Sequence, residues 1–388
     1  MQKKNTPEAL LYHVSLPMKL GFGHFAASRN ISDSVVLKIN LDGYIGLGEC
    51  APRNYVTGET SIEVCKALIN LSLSRVLDIL STLHAEEILN NLKERGFAKT
   101  FDISAENNLI CLLELAVLDW LGQKLRLPGY MMLPSYNPNC NNKTIKISQV
   151  LDQTLSVDEF LANRGPFHFI KIKGDLEHNK DIVNVHAIRK HVGFDIPIMV
   201  DANMGWSFDD ALLHIKNLRD VGVNFVEEPL AKRSWHDLSK LKRLTGMPIM
   251  LDESLCNMDD IKVAIQEKCC DAANIRVAKC GGIFNASKII EFSRSEGLAF
   301  QIGVQVAECG PLINAGRILA ANNPDAITVE GGQFDRFFND MIVSPTPQID
   351  RTLNTFYPPH SFGLGFEATT IIDQFQIYEF HKTNNKWS

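Results

Sequence analysis

The sequence predicts a (β/α)8 barrel joined to a smaller α+β domain, and three observations carry that reading. From about residue 144 onward, short apolar strands alternate with amphipathic helices, and eight such units occupy about 190 residues. Three of those strands end in an acid, spaced by about one β/α unit. The first 140 residues lack this rhythm and read as a hairpin followed by helices. A chain of 388 residues is long enough for one large core and a smaller companion.

Taken in order, the hairpin comes first. Val35-Val36-Leu37-Lys38-Ile39 leads into Asp42-Gly43, a two-residue turn signal, and Gly46-Leu47-Gly48-Glu49 is the return strand. Residues 61–124 read as helices, with Leu112, Leu113, Leu115, Ala116 and Leu118 forming a broad apolar stripe. The barrel strands are then Thr144–Ile147, Phe169–Lys173, Ile198–Asp201, Phe225–Glu227, Ile249–Asp252, Ala273–Val277, Ala299–Gly303 and Ala326–Val329. This divides the chain into an α+β domain at 1–140, completed by about 355–388, and a barrel at 141–354. The glycine pairs at Gly21-Phe22-Gly23 and Gly46-Leu47-Gly48 loosely match a dinucleotide fingerprint, but neither lies in a βαβ unit.

Composition narrows the partners. Hydrophobic residues make up 45% and charged ones 22%, with a net charge of −6 and no block of like charges. That balance argues against a nucleic-acid or anionic-membrane surface and for a small-molecule partner. The first residues lack the apolar run of a secretory signal, and no stretch has the length to span a bilayer, so a cytoplasmic protein is expected. Nine scattered cysteines, an odd number, fit reduced thiols, and the adjacent Cys269-Cys270 reads as buried small residues before redox chemistry.

The chemistry lies at the strand ends. Asp201, Glu227 and Asp252 close three consecutive strands at intervals of 26 and 25 residues. Acids one unit apart stand at similar heights, so their oxygens can converge, and three converging carboxylates repel unless a cation joins them. All-oxygen ligation favours Mg²⁺, with Mn²⁺ second. A single acid after a strand would more simply cap the next helix; three in register are harder to explain that way. Lys171 and Lys173 flank Ile172, so both point into the barrel. Two close ammonium groups depress each other's pKa, which would supply a neutral amine able to remove a proton α to a carboxylate. The plainer alternative is a solvated Lys-x-Lys on a strand rim.

These motifs resemble the enolase superfamily, in its muconate-lactonizing-enzyme subgroup (the mandelate racemase/muconate lactonizing enzyme family). The likeness rests on Lys171-Ile172-Lys173, Asp201-Ala202-Asn203-Met204-Gly205-Trp206, Val226-Glu227-Glu228-Pro229, Leu251-Asp252-Glu253-Ser254 and Lys279-Cys280-Gly281-Gly282-Ile283. In the first domain, Gly46–Glu49 and Tyr55-Val56-Thr57-Gly58-Glu59 look like the subgroup's capping domain. The resemblance implies Asp201, Glu227 and Asp252 as Mg²⁺ ligands, Lys173 as acid/base and Lys171 as its tuner. In this superfamily a Lys or His base is paired with Mg²⁺. The resemblance also allows a homo-oligomer.

One departure is chemical. The family usually carries a second catalytic lysine on the sixth strand, where this chain reads Asn274-Ile275-Arg276. Arginine's pKa lies about six units above neutral, so using it as a base would cost roughly 8 kcal/mol. Arg276 can still stabilise an enolate or grip a carboxylate, or form a buried ion pair with Glu253. Lys279 is a substitute only if the strand does not continue, because i+3 faces away. A one-base cycloisomerase or syn-eliminating lyase therefore ranks above a racemase or epimerase of an amino-acid derivative. A metal-binding scaffold without catalysis is the alternative of another class. Gly331-Gly332 gives only a faint version of a phosphate-binding turn.

Further residues are assigned to substrate contact. Glu308 falls where the family places an acid after the seventh strand, though a helix cap is an equal reading. The eighth strand reads Thr328-Val329-Glu330-Gly331, with one acid where dipeptide epimerases carry two, which disfavours an aminoacyl-dipeptide substrate. Phe22, His24, Phe25, Arg53 and Tyr55 lie on loops expected to cover a small-molecule carboxylate, with Arg53 either meeting a second anion or simply solvated.

Overall fold

The computed structural model describes residues 9–24, 27–71, 73–136, 138, 143–175, 177–383 and 386–387. The chain opens with β1 (Ala9–Val14), β2 (Pro17–His24), β3 (Ala27–Ile31), β4 (Ser34–Leu41) and β5 (Tyr44–Cys50). β1, β4 and β5 form an antiparallel sheet that the late strand Gln376–Phe380 completes by pairing with β1. Asp42 and Gly43 both take positive φ, as a two-residue hairpin turn requires, and Leu41 faces Tyr44 across it. Alternate residues of β4 (Val35, Leu37, Ile39) enter the core beneath the helices.

The Asn107–Leu125 helix lies directly on β5, and this contact explains the Gly46-Leu47-Gly48 motif. A Cβ at Gly46 would strike the Ala116 carbonyl and Trp120, and one at Gly48 the Leu112 carbonyl and Ala116. The glycines permit close helix-on-strand packing, with no phosphate involved. Asp119 on the same helix accepts hydrogen bonds from Leu47 N at 2.8 Å and Leu364 N at 2.7 Å, tying sheet, helix and C-terminal segment together.

The second body is a parallel sheet. After β6 (Ile145–Lys146) come β7 (Gln149–Leu151), β8 (Ile170–Lys173), β9 (Ile198–Asp201), β10 (Phe225–Glu227), β11 (Ile249–Leu251), β12 (Ala272–Ile275) and β13 (Ala299–Ile302). β7 to β13 pair in sequence order, with helices between them. The eighth position is an extended segment. Ile302 N donates to Thr328 O, Glu330 N to Ile302 O, and Ser148 N to Val329 O at 2.9 Å, which closes the ring. The expected first barrel strand, Thr144–Ile147, needs correction: β6 pairs antiparallel with Thr355–Phe356 outside the barrel, and β7 takes its place. Both runs are short and apolar, and composition does not distinguish them.

Two buried acids join the bodies. Glu49, at the end of β5, accepts from Cys309 N and Leu312 N, both at 3.0 Å, at the start of the Pro311–Asn322 helix. Glu114 accepts from Phe284 N at 3.2 Å, at the start of the Ile283–Ser295 helix. Each carboxyl occupies the positive end of a barrel helix from the neighbouring domain. The eight described cysteines are free and buried, and among the described residues no helix is long and apolar enough to cross a membrane.

Burial pushes the Asp119 carboxyl up to about 7. Between about pH 4 and pH 7 the folded chain therefore holds a proton that the unfolded chain has released, so this group's contribution to stability falls as pH rises through that window. Urea unfolding of native protein and Asp119→Asn across that range should show the native protein's advantage shrinking with pH. A constant or growing advantage contradicts this.

Candidate active site

Strand register builds the site. Lys173 pairs with Asp201 and Asp201 with Glu227 across β8, β9 and β10, so these side chains share one height and one face. Glu227 pairs with Met250, and Asp252 lies two residues further along, facing the same way. All of these acids are buried.

Cations fill the spaces between them. Lys171 Nζ lies 2.9 Å from Asp201 Oδ2, 2.8 Å from Glu227 Oε2 and 3.0 Å from Glu330 Oε1. Lys173 Nζ donates to Asp201 Oδ2 at 2.6 Å and to Asn203 Oδ1 at 3.1 Å. Asn203 in turn donates through Nδ2 to Glu253 Oε1 at 3.1 Å, so it positions both. The guanidinium of Arg276 bonds Asp252 Oδ2, and its other terminal nitrogen donates to Gln305 Oε1 at 3.1 Å.

Three expectations change. The two lysines were expected to depress each other, but Asp201, Glu227 and Glu330 outweigh burial and hold Lys171 well above the usual lysine range. Arg276 was offered Glu253 as a structural partner; its ion pair is with Asp252 instead. Lys279, a candidate contact around the site, would face away in a continuing strand, but β12 stops at Ile275 and the following turn brings its ammonium to Asp252 Oδ1 at 2.8 Å and Asn274 O at 2.7 Å. Strand parity fails once the strand ends.

Seven buried carboxyls (Asp201, Glu227, Glu228, Asp252, Glu253, Glu308, Glu330) and four buried cations (Lys171, Lys173, Arg276, Lys279) share this end of the barrel, with the cations paired to Asp201, Glu227, Asp252 and Glu330. The surplus is visible in protonation. Burial and then Asp201 push Glu227 up to about 8, and burial and then Asp252 push Glu253 up to about 8. Glu253 Oε2 has no hydrogen-bond donor. Among the described residues no three acidic, imidazole or thiol groups stand open at metal-binding spacing, because Lys171 lies between Asp201 and Glu227 while Arg276 and Lys279 hold Asp252. The donor set is all oxygen, as a small hard divalent cation requires. The residues fit Mg²⁺.

A cleft of about 890 Å³, its mouth included, opens onto this cluster. Lys171, Lys173, Arg276, Glu308 and Glu330 line it, and Phe22 forms part of its wall, with its ring centre 6.0 Å from Lys173 Nζ. Glu308 does not cap the following helix, a role Glu49 takes. Its Oε1 accepts from Gln305 N at 2.7 Å, and its Oε2 is unpartnered. Asn274, which donates to Glu227 Oε1 at 2.7 Å, and Glu330 were missing from the expected set. Asn274 was legible, since it lies two residues before Arg276 on one strand face.

Arg53 needs the larger correction. It is neither solvated nor in the cleft: its guanidinium is buried and donates to the carbonyls of Ser32, Asp33, Pro52 and Val306. Tyr55 is half-buried on the Asn54–Thr57 helix and is also absent from the cleft lining. The His24 side chain and Phe25 lie outside the described residues.

A family model described as "Enolase C-terminal domain-like" matches residues 155–370. The chain belongs to the enolase superfamily. It is 31% identical over 288 residues to a hydrophobic dipeptide epimerase of Enterococcus faecalis, covering 70% of this chain and 74% of that one. Among solved structures, the Enterococcus faecalis dipeptide epimerase complexed with Mg and the dipeptide L-Leu-L-Tyr matches with a TM-score of 0.77 at 25% identity, covering 94% of this chain and 99% of that one. A 2-chloromuconate cycloisomerase from Rhodococcus opacus matches with a TM-score of 0.81 at 19% identity, covering 96% and 99%, and supports the fold alone.

Replacing Arg53 with Ala removes the guanidinium donor from the carbonyls of Ser32, Pro52 and Val306, while Asp33 O keeps Ser61 Oγ. Chemical denaturation should show a loss of about 3 kcal/mol or more. A loss under about 0.5 kcal/mol, the value for a solvated surface residue, contradicts this placement.

Proposed function

We propose that this enzyme is a Mg²⁺-dependent isomerase that removes the α-proton of an amino-acid-derived carboxylate, with Lys173 as the acid/base. The observation that carries it is the Lys173 ammonium, held by Asp201 and Asn203 at the wall of the cleft, beside Asp201 and Glu227 in register and Asp252 just past the end of the next strand. Asp201, Glu227 and Asp252 would hold Mg²⁺, or Mn²⁺ in its place. The bound ion would supply the positive charge that makes an α-proton acidic enough for an amine to take. Lys171 keeps one charge beside Asp201 and Glu227, and Asn203 fixes the direction of the Lys173 amine. The relative named for dipeptide epimerisation supports an amino-acid-derived substrate over the cycloisomerase or lyase that ranked first from the sequence. The same relative weakens the argument from Glu330 against a dipeptide. The lysines and acids argue against a non-catalytic scaffold.

Arg276 favours a second reading. It stands just past the end of the strand four places round the sheet from Lys173, where inversion would need a second base, and its charge is held by Asp252. Chemistry confined to the Lys173 face, as in a cycloisomerisation or syn elimination, fits that arrangement.

Deuterium exchange separates the two. Mg²⁺-loaded enzyme with L-configured dipeptides and N-acyl amino acids in D₂O should exchange the α-proton, and Lys173→Ala should slow this by about 10³-fold. Inversion accompanied by deuterium supports the first reading; exchange with retained configuration supports the second. Under the second reading, Arg276→Lys should introduce inversion, detected by polarimetry. No exchange with any substrate sinks both.

A further inference from the structure

One part of the cleft wall is basic. Arg164, after the Val157–Asn163 helix, and Arg336, in the Phe334–Phe337 helix, both line it. Arg336 donates to two neutral amide oxygens, Gln149 Oε1 at 3.0 Å and Gln333 Oε1 at 2.6 Å. The nearby Asp335 is taken by Arg351, at 2.8 Å from its Nε. Asp152, the other acid at this end, accepts from Thr154 N and Oγ1, and although its charge opposes the effect, burial still lowers the Arg164 pKa. Among the described residues neither Arg164 nor Arg336 has a carboxylate within ion-pair distance, although both are partly buried. Burial, then Arg351 and Arg164, lower the Arg336 pKa to about 9. A guanidinium withdrawn from water beside other cations is costly unless an anion arrives.

We infer that Arg164 and Arg336 form a subsite for a second carboxylate, carried at the end of the substrate away from the reacting carbon. This rests on the proposed function for the first carboxylate and narrows its substrate class to dianions, such as an acidic dipeptide or an N-acyl amino acid whose acyl chain ends in a carboxylate. The planar fork of arginine suits that group, and Gln149 and Gln333 hold one guanidinium in place to receive it.

Calorimetric titration of the Mg²⁺-loaded full chain tests this with two pairs of probes: L-Ala-L-Glu against L-Ala-L-Gln, and N-succinyl-L-alanine against its terminal monoamide. The expected result is at least one charged probe bound about tenfold or more tighter than its amide. That preference should fall below about twofold in Arg336→Gln/Arg164→Gln, with circular dichroism unchanged. Equal affinities in both pairs, no binding by any probe, or a preference that survives loss of both arginines overturns the subsite. The same samples followed by α-proton exchange keep the two claims apart. A charge preference without exchange leaves the subsite and removes the proposed function; exchange without charge preference does the reverse.

Discussion

Compensation of buried charge at the carboxyl ends of the barrel strands is the constraint on which the rest of the structure depends. Asp201, Glu227 and Asp252 are withdrawn from water, and each is tolerable only because Lys171, Lys173, Arg276 or Lys279 touches it. Removing one partner would strand the others. The network is therefore a unit, and a substitution in it should be read as a change to the whole cluster. The divalent ion of the proposed function would enter this same cluster of carboxyls.

The neighbouring domain extends the same logic. Glu49 and Glu114 are buried acids satisfied by backbone N–H groups at the starts of barrel helices. Arg53 binds the two bodies through carbonyls, one of them Val306 in the segment that also lines the cleft. The two domains thus share their polar interior, and the cleft wall beside Glu308 is held from both sides.

Much of this was legible in the sequence because it follows from period and spacing. Two-residue alternation placed Lys171 and Lys173 together, and the intervals between Asp201, Glu227 and Asp252 placed them on neighbouring strands. What escaped depended on where a strand stops or which way a loop folds. Lys279 turns inward because β12 ends at Ile275, and no periodicity marks that end. Arg53 looks like any loop arginine until the loops around it supply carbonyls. The first barrel strand was misplaced because β6 and β7 are both short apolar runs, separated only by their long-range partners. Asn274 could have been found by the same parity that was applied to the lysines.

The most direct measurement is anomalous scattering from crystals soaked in Mn²⁺. One ordered peak should lie within about 2.0–2.3 Å of an oxygen from each of Asp201, Glu227 and Asp252, the range expected for small hard cations and somewhat beyond. At saturating Mn²⁺, an absent peak with every lysine and arginine contact to those acids retained would contradict the account.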